Sequence, residues 1–324
     1  MSTNLDEIRK PIAAELTLFE EKFRASMKTK TPLLDAVMKY IVKQKGKRVR
    51  PMFVFLSASV CGEITEATYR GAALIELLHT ATLVHDDVVD DSDERRGFFS
   101  INALWKNKIA VLVGDYLLSK GLLLAVSNKD FRLLELVSDA VKEMSEGELL
   151  QIEKTRKLNI TEEIYFEIIR QKTATLISSA CAIGAASSNS SEIIIAKMKL
   201  FGEKAGIAFQ IKDDLLDFGN EDIGKPHGID LKEKKITLPL IYALNNCNSS
   251  DRRRFINIIK NKNEDLLKVK EVVSFIHESG GMKYATEKMN LYRDEAIAIL
   301  NSFTKTASLN SLIDLVYFTT DRKK

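Results

Sequence analysis

Two short acidic segments, each embedded in apolar residues, constrain this chain more than any other feature. In the first, HTATLVHDDVVD, Asp86, Asp87 and Asp90 stand at positions i, i+1 and i+4, and GIAFQIKDDLLDFG repeats that spacing later in the chain. On an α-helix this spacing places the three carboxylates on one face. The repeat therefore predicts two helices that each present a carboxylate cluster to a common cavity.

The second cluster consists of Asp213, Asp214 and Asp217. Carboxylates held this close repel one another unless a cation lies between them, and a hard divalent ion with oxygen ligands suits such a site. The apolar neighbours of both clusters argue against a solvated acidic surface. Because Mg²⁺ prefers a few carboxylates together with water and substrate phosphates, the pattern predicts shared metal ions whose remaining ligands are phosphate oxygens.

Basic residues accompany the acidic clusters. Lys47, Arg48 and Arg50 follow a helix-breaking glycine and precede the apolar run MFVFLSASVC. A helix N-terminus adds partial positive charge to such a group, which favours an anion site. The alternative is a solvated basic turn, which is the better explanation for a basic cluster taken alone.

Five further basic residues lie near the clusters or in apolar surroundings: Arg95, Arg96, Lys172, Lys225 and Lys235. Lys172 and Thr173 stand in an otherwise apolar run, where an ammonium group needs an anionic partner. Residues 219–235 form a loop directly after the second cluster, from which lysine side chains can reach bound phosphates. The alternatives are that the arginines balance the acidic helix and that Lys172 pairs with Glu148.

Helical periodicity runs through the whole chain, and no convincing strand alternation interrupts it. The spacing predicts long helices over residues 64–92, 101–127, 129–153, 162–186 and 190–218. Only 5 prolines and 15 glycines occur in 324 residues, which suits long helices. We therefore predict an all-α fold, a single domain spanning residues 1–324 with its helices around a central cavity.

Composition argues against several classes of protein. The net charge of +3, without a long Lys/Arg run, argues against nucleic-acid binding. Cys61, Cys181 and Cys247 show no metal-binding spacing and indicate free thiols in a reducing cytosol. The polar N-terminus is unlike a signal peptide, and no uninterrupted apolar stretch approaches the ~18–20 residues that span a bilayer. We therefore expect a soluble, cytoplasmic protein.

The segments GKRVRP, HTATLVHDDVVD, ERRG, KTA, FQIKDD and GKP occur in this order. Either DDxxD motif alone is a weak signal, but the ordered set resembles the polyprenyl synthetase family, the trans-isoprenyl diphosphate synthases, over nearly the whole chain. The resemblance implies antiparallel helices around a deep apolar cavity, and a homodimer. It also implies the reaction. An allylic diphosphate ionises, the double bond of isopentenyl diphosphate attacks the carbocation, and loss of a proton leaves a chain longer by one isoprene unit.

The resemblance assigns Mg²⁺ to the two DDxxD motifs, with three ions when substrate is bound. The implied direct ligands are Asp86, Asp90 and Asp213. The aspartates implied to support the ions directly or through water are Asp87, Asp214 and Asp217. The ions stabilise the charge of the leaving diphosphate, and Arg95 and Lys172 are the implied catalytic cations beside them.

The resemblance also implies two diphosphate sites. The residues implied to hold the allylic diphosphate are Arg95, Lys172, Lys225 and Lys235. The residues implied to hold isopentenyl diphosphate are Lys47, Arg50, His79 and Arg96. The side-chain oxygens of Thr173 and Gln210 are implied to face the allylic group and to stabilise a nearby cation. Without the resemblance, His79 is better explained as a core histidine, and Thr173 and Gln210 as packing residues between helices.

Two places depart from the family pattern. Lys45 occupies a position that is usually glycine in the first basic motif, which alters the turn locally and leaves the charge of the motif in place. Asp91 and Asp93 add acidity after the first DDxxD motif, and no role is assigned to them.

Residues preceding Asp86 bear on product length. Family members that make short products close the cavity with a bulky aromatic at the fourth or fifth residue before the first Asp, where this chain has Thr82 and Ala81. Leu78 lies one turn deeper. The resemblance thus implies an open channel and a long-chain product. Such a product serves as a quinone side-chain precursor, and we expect it to associate the enzyme transiently with membranes. The channel floor is expected on other helices, near Leu123, Leu133 or Leu136.

Four alternatives remain open on the sequence. A short-chain farnesyl or geranylgeranyl diphosphate synthase would keep the chemistry and stop elongation early. A terpene cyclase would leave GKRVRP, His79 and the second DDxxD motif unexplained. A non-catalytic regulatory subunit usually lacks carboxylates that are present here. A structural helical protein with Ca²⁺-stabilised acidic patches predicts metal-dependent stability without phosphate affinity.

Overall fold

The computed structural model of the chain describes residues 4–44, 46–90, 92–95, 98–157, 160–219 and 229–322. Within these ranges the chain forms sixteen α-helices and one two-stranded hairpin. Helices make up 82% of the structure, which confirms the predicted all-α fold.

The helices, in chain order, are α1 (Leu5–Arg9), α2 (Ala13–Ser26), α3 (Pro32–Lys43), α4 (Val49–Cys61), α5 (Glu66–Val89), α6 (Ile101–Ser127), α7 (Phe131–Lys157), α8 (Glu162–Ile169), α9 (Thr175–Ser187), α10 (Glu192–Asp217), α11 (Ile229–Lys232), α12 (Leu238–Asn245), α13 (Ser249–Asn261), α14 (Leu266–Glu278), α15 (Gly281–Leu300) and α16 (Ala307–Thr320). A 3-10 turn, Lys10–Ile12, joins α1 to α2, and a π-helical turn, Arg170–Ala174, joins α8 to α9. The strands β1 (Glu94–Arg95) and β2 (Phe98–Phe99) pair antiparallel between α5 and α6.

The two helices that carry the acidic clusters lie close to their predicted positions. Helix α6 has the predicted bounds, but the backbone of Lys106 is not helical (φ 71°, ψ 159°) and kinks it near its start. Helices α5 and α10 each fall inside the ranges predicted for them. Helix α5 begins after a capping box, in which the side chains of Thr65 and Thr68 each accept a hydrogen bond from the other residue's backbone N–H. The single helix predicted over residues 162–186 is instead two α-helices separated by the π-helical turn.

Helix α9 lies inside the larger apolar core, where it packs against α4, α5, α7 and α10. A Cβ atom on Gly184 of α9 would lie 2.4 Å from the Val54 carbonyl oxygen. A Cβ atom on Gly206 of α10 would lie 2.6 Å from the Cα atom of Ala174 in the π-helical turn. Glycine at these positions lets the backbones approach closely, and this packing brings α10 and the π-helical turn together.

Two apolar clusters form the interior of the described residues, and α10 contributes to both. Phe201 belongs to the larger cluster, which α4, α5, α6 and α9 also build. Ile211 and Leu215 belong to the smaller cluster, which includes α12, α14 and α15. The second acidic motif therefore lies where α10 enters the smaller cluster.

Helix α6 is long and apolar enough to meet the length and composition test for a membrane span, with 33% of its most apolar stretch buried. The expectation concerned uninterrupted apolar stretches, so this helix does not contradict it. Asp115 and Lys120 interrupt the stretch, but two charges leave its average apolar. The core helix of a soluble protein passes the same test.

Candidate active site

Both acidic clusters occupy the C-terminal ends of their helices. Asp86 and Asp87 lie in the last turn of α5 and Asp90 is its C-cap. Asp214 and Asp217 lie in the last turn of α10. The helix macrodipole places partial negative charge at this end, which disfavours carboxylates and favours cations. Anionic clusters at two such ends indicate cation binding.

The first cluster lies at the edge of the interior. Asp87 is 4% exposed, Asp86 is half-buried and Asp90 is exposed. The backbone N–H of Asp90 donates to the Asp86 carbonyl oxygen at 2.8 Å, and that of Ser92 donates to the Asp87 carbonyl oxygen at 3.0 Å. These bonds hold the C-terminal end of α5 in place. The exposed fraction of the carboxylates increases from Asp87 to Asp90.

The second cluster is held by parts of the chain that are distant in sequence. The guanidinium group of Arg322 donates a hydrogen bond to Asp213, and it lies over the Phe209 ring, 4.6 Å from the centroid. Asp217 accepts a hydrogen bond from the backbone N–H of Asp230 at 3.1 Å. Helix α11 and the residues after α16 therefore both reach this cluster.

Asp214 lies at the centre of a buried hydrogen-bond network. Its Oδ2 atom accepts from the Tyr165 hydroxyl at 2.7 Å and its Oδ1 atom from Gln210 Nε2 at 2.8 Å. Gln210 Oε1 in turn accepts from the Thr173 hydroxyl at 2.8 Å. Burial, followed by the charge of Asp230, raises the pKa of Asp214 well above its ordinary value. Burial and the neighbouring Asp214 raise the pKa of Tyr165, so this phenol stays a donor at neutral pH.

A cavity of about 150 Å³ adjoins this network. Its walls include five residues expected from the sequence: Lys172, Thr173, Gln210, Asp214 and Lys235. They also include Tyr165 and Asp230, neither of which was expected. Four isoleucines supply apolar wall: Ile160, Ile168, Ile169 and Ile236. A polar floor beside apolar walls suits a ligand with a charged head and a hydrocarbon body.

Lys172 lies in the π-helical turn and has the anionic partner that its apolar neighbours require. Its Nζ atom is 2.5 Å from Glu148 Oε2 and 3.5 Å from Gln151 Oε1. A Cβ atom on Gly147 of α7 would lie 2.9 Å from the Lys172 backbone nitrogen, so glycine there permits the close approach. Single π-helical turns occur often at functional sites. The pairing with Glu148 that the sequence left as an alternative is present.

Lys235 connects the two acidic clusters electrostatically. Burial alone would lower its pKa, but a hydrogen bond to Glu233 and the charges of Asp230 and Asp90 raise it overall. Burial and the charge of Asp217 raise the pKa of Asp230 to about 7. The charge of Lys235 therefore interacts with Asp90 from the first cluster and with a carboxylate beside the second. The only sequence signal for Asp230 is an acid between two apolar residues in the segment GIDLK.

The three basic residues before and at the start of α4 have different surroundings. Lys47 is exposed, and its Nζ atom lies 5.4 Å from the centre of the Phe318 ring. Arg48 has a positive φ of 54° and forms an ion pair with Glu76 in which the side chains are 16% and 9% exposed. Arg48 therefore anchors the turn to α5 and is not a free member of the expected anion site. Arg50 lies in the first turn of α4.

The remaining expected diphosphate ligands are only partly described. His79 is half-buried on α5, two turns before Asp86. Arg96 and Lys225 lie outside the described residues, as do Lys45 and Asp91. Arg95 belongs to β1, and its side chain is also outside the described part of the chain.

A second cavity, of about 320 Å³, lies between α5, α6 and α7. Its lining is almost wholly apolar: Leu74, Leu78, Leu117, Leu118, Gly121, Leu122, Leu134, Val137, Ser138, Val141 and Lys142. Leu78 is thus a wall residue, whereas Ala81 is fully buried and the Thr82 hydroxyl donates to the His79 carbonyl oxygen at 3.0 Å. No aromatic residue is among the described residues of this lining.

The expected floor residues differ from those that line the cavity. Leu123 is 65% exposed, and Leu133 and Leu136 are each 3% exposed in the core. Their sequence neighbours Leu122 and Leu134 line the cavity instead. One residue along a helix rotates a side chain by about 100°, so the residues that line this cavity lie next to the expected ones on the same helices.

Comparison with known proteins identifies the family of the chain. A model of the polyprenyl synthetase family matches residues 31–276. The chain belongs to the polyprenyl synthetase family. The all-trans-nonaprenyl-diphosphate synthase (geranyl-diphosphate specific) of Rhodobacter capsulatus is 35% identical over 319 residues, which cover 98% of this chain and 97% of that protein. Membership confirms the expectation that the chain is an enzyme and a prenyltransferase.

Solved structures of the family share the fold. A decaprenyl diphosphate synthase from Rhodobacter capsulatus has a TM-score of 0.94 and 31% identity, covering 99% of this synthase and all (100%) of that chain. A polyprenyl synthase from Caulobacter crescentus CB15, complexed with calcium and isoprenyl diphosphate, has a TM-score of 0.92 and 29% identity, covering 100% and 99% of the two chains. The expected isoprenoid-synthase type of helical bundle is confirmed.

The acidic clusters of this synthase fit a hard divalent ion. Their side-chain donors are all carboxylate oxygens, which such ions prefer. Among the residues that the structure describes, no three Asp, Glu, His or Cys side chains form a ready metal cage. An open oxygen site of this kind suits Mg²⁺, which usually keeps waters and takes ligands from substrate phosphates.

Proposed function

We propose that this chain is a trans-polyprenyl diphosphate synthase that condenses isopentenyl diphosphate with an allylic diphosphate to a long-chain all-trans product, a quinone side-chain precursor. The observation that carries the proposal is the pair of cavities. One lies beside the carboxylates and lysines of the second motif, and the other is an apolar space that includes Leu78, two turns before Asp86 on α5. The named relatives make nonaprenyl and decaprenyl diphosphates, which supports a long chain.

The cationic residues have roles in holding the two diphosphates. Lys172 and Lys235 bind the allylic diphosphate, for which Glu148 and Glu233 hold their ammonium groups in place. Arg95 and Lys225 complete that site in our proposal. Isopentenyl diphosphate is assigned to Lys47, Arg50, His79 and Arg96. Lys47 and Arg50 lie at the N-terminal end of the buried helix α4, which favours an anion.

Mg²⁺ is the proposed cofactor, with three ions when substrate is bound. The carboxylates assigned to it are Asp86, Asp87, Asp90, Asp213, Asp214 and Asp217. When bound, the ions neutralise charge on the departing diphosphate. The calcium and isoprenyl diphosphate in the Caulobacter crescentus structure support a divalent ion beside a diphosphate in this family.

The cavity walls protect the carbocation that ionisation produces. Ile168, Ile169 and Ile236 exclude water from the cavity. Thr173 and Gln210 line the same space, and we assign to their side-chain oxygens the stabilisation of positive charge there. The departing diphosphate accepts the final proton, so no protein base is required.

A product assay tests the proposal. The protein is incubated with Mg²⁺, farnesyl diphosphate and labelled isopentenyl diphosphate, and the dephosphorylated products are resolved by length. We expect products longer than geranylgeraniol. Products that stop at farnesol or geranylgeraniol from every primer would establish a short-chain synthase, and no incorporation would favour a cyclase or a regulatory subunit.

The variant Gly121→Leu tests the assignment of the apolar cavity to the growing chain. A Cβ atom on Gly121 would meet Leu74 at 3.6 Å and Leu77 at 4.0 Å, which are ordinary contacts, so the leucine side chain can extend into the cavity. We expect shorter products with the first condensation retained. Gly121→Ala is the matched control, because it adds only the tolerated Cβ atom and should leave product length unchanged.

We also propose that the enzyme is a homodimer joined through α6. Six large apolar side chains on this helix are 40–65% exposed: Leu104, Val111, Leu112, Leu122, Leu123 and Val126. The five that follow the kink at Lys106 recur at helical spacing along one face, and contiguous exposed apolar side chains of this kind usually mark an interface. Leu112→Asp should give a monomer by light scattering, whereas Leu267→Asp, at a 76% exposed leucine on α14, should leave the dimer intact.

Residues 1–324 form one polyprenyl synthetase domain in our proposal, supported by the contribution of α10 to both apolar clusters. We assign the enzyme to the cytoplasm, with transient membrane association through its apolar product. The net charge of +3 supports the absence of a nucleic-acid partner.

A further inference from the structure

Asp214, the middle aspartate of the second motif, accepts hydrogen bonds from protein side chains at both of its carboxylate oxygens. Tyr165 from α8 donates to Oδ2 at 2.7 Å, and Gln210, one turn earlier on α10, donates to Oδ1 at 2.8 Å. Tyr165 and Asp214 are each 4% exposed. Buried side chains with satisfied hydrogen bonds are held in one orientation.

This network determines which end of the Gln210 amide faces the cavity. In the ionised form that binds a metal ion, Asp214 only accepts hydrogen bonds, so the amide nitrogen of Gln210 points to it. The amide oxygen then points away from Asp214, toward Thr173, whose hydroxyl donates to it at 2.8 Å. One lone pair of that oxygen remains after this bond. Thr173, Gln210, Asp214 and Tyr165 all line the same cavity.

We propose that Tyr165 is a positioning residue for prenyl transfer, which through Asp214 fixes the Gln210 amide with its oxygen toward the space where the carbocation forms. The inference rests on the proposed function, because it assigns a cation to that cavity. A fixed oxygen dipole stabilises developing positive charge without reorganisation. A reversed amide would place N–H groups there and oppose the charge.

The first test compares Tyr165→Phe with Tyr284→Phe. The Tyr284 hydroxyl also donates to a carboxylate, Glu162, at 2.7 and 2.9 Å, but Tyr284 is not a lining residue of the cavity. We expect Tyr165→Phe to lower kcat about tenfold, with KM for both substrates and Mn²⁺ affinity changed less than about twofold. Tyr284→Phe should lose a similar amount of thermal stability and keep wild-type kcat.

A double-mutant cycle then tests whether Tyr165 acts through Gln210. In a Gln210→Leu background, where no amide remains to be oriented, Tyr165→Phe should lower kcat no further. Multiplicative losses would overturn the proposal, as would a normal kcat in Tyr165→Phe or a loss of Mn²⁺ affinity that matches its loss of activity. If the wild-type enzyme itself incorporates no isopentenyl diphosphate, the proposed function fails, and this inference fails with it.

Discussion

The two DDxxD motifs share a spacing and a place at the end of a helix, yet their surroundings differ. In the first, exposure increases from Asp87 to Asp90, which caps α5. In the second, Asp213 meets Arg322, Asp214 meets Tyr165 and Gln210, and Asp217 meets the backbone of Asp230. The same local pattern thus lies at an open edge in one place and within a buried network in the other.

The spacing of the motif, shared by both clusters, determines that each binds cations. The hydrogen-bond partners of each carboxylate determine which other residues it holds in place. Both clusters attract cations because both lie at the negative ends of helices. The second cluster is joined by hydrogen bonds of Asp214 to Tyr165 and Gln210, which line the cavity beside it. We therefore expect similar losses of activity when a proposed direct metal ligand is neutralised in either motif. We expect the motifs to differ in their effects on stability and on metal affinity.

The largest expected effect tests what the motifs share. Asp86→Asn and Asp213→Asn should each lower kcat by about 10²–10³-fold, because each removes a carboxylate proposed to hold the metal ions that stabilise the departing diphosphate. Steady-state kinetics at saturating Mg²⁺ measures this, with the exposed Asp139→Asn on α7 as the control. Near-normal kcat in either variant would show that the two motifs are not equivalent in catalysis.

The second effect concerns stability without metal, where the motifs should differ. Asp214→Asn leaves one acceptor oxygen for two donors, the buried Tyr165 hydroxyl and the half-buried Gln210 amide, so the free energy of unfolding should fall by about 1–3 kcal/mol. Asp90→Asn should change it by no more than about 0.5 kcal/mol, and in the stabilising direction, since an anion at a helix C-terminus is unfavourable. Urea unfolding of the metal-free variants measures both, and equal changes would contradict the difference between the motifs.

The third effect concerns metal affinity at the second motif. At pH 8, where Asp230 with its pKa of about 7 is mostly ionised, Asp230→Asn should weaken Mn²⁺ binding by about tenfold, or about 1.4 kcal/mol, because it removes a half-buried negative charge beside Asp217. Calorimetric titration measures the affinity. Asp93→Asn, an exposed carboxylate after the first motif, is the matched control and should have a smaller effect. A larger loss of Mn²⁺ affinity in Asp93→Asn would show that this additional carboxylate after the first motif contributes to metal binding.

The smallest expected effect is a gain in metal affinity at the second motif, not a loss. Arg322 competes with a metal ion for Asp213, so Arg322→Gln should strengthen Mn²⁺ binding in the absence of substrate by about twofold to fivefold. Arg322→Lys keeps the charge and should bind Mn²⁺ as the wild type does. The gain should shrink as salt is added, since screening weakens the competing ion pair. Weaker binding in Arg322→Gln would mean that the arginine supports the site.

Much of the fold and part of the site could be predicted because they depend on local spacing. The bounds of α6 and the helical setting of both acidic clusters follow from periodicity within one segment. Asp230, the π-helical turn around Lys172 and the Arg48–Glu76 ion pair could not be predicted, since each depends on a partner from another helix. The lining of the apolar cavity by Leu122 instead of Leu123 required the rotation of α6, which sequence spacing leaves open.

The sequence by itself determined that this chain is helical, that it carries two carboxylate clusters at helical spacing and that cations accompany them. Those properties arise within a few residues of the backbone and side chains. Only the tertiary structure decided which carboxylate is anchored and by what, because Tyr165 lies 49 residues from Asp214 and Arg322 lies 109 residues from Asp213. Such partners meet only through packing, in which Gly206 lets α10 approach the π-helical turn closely enough for Thr173, Gln210 and Asp214 to form one network.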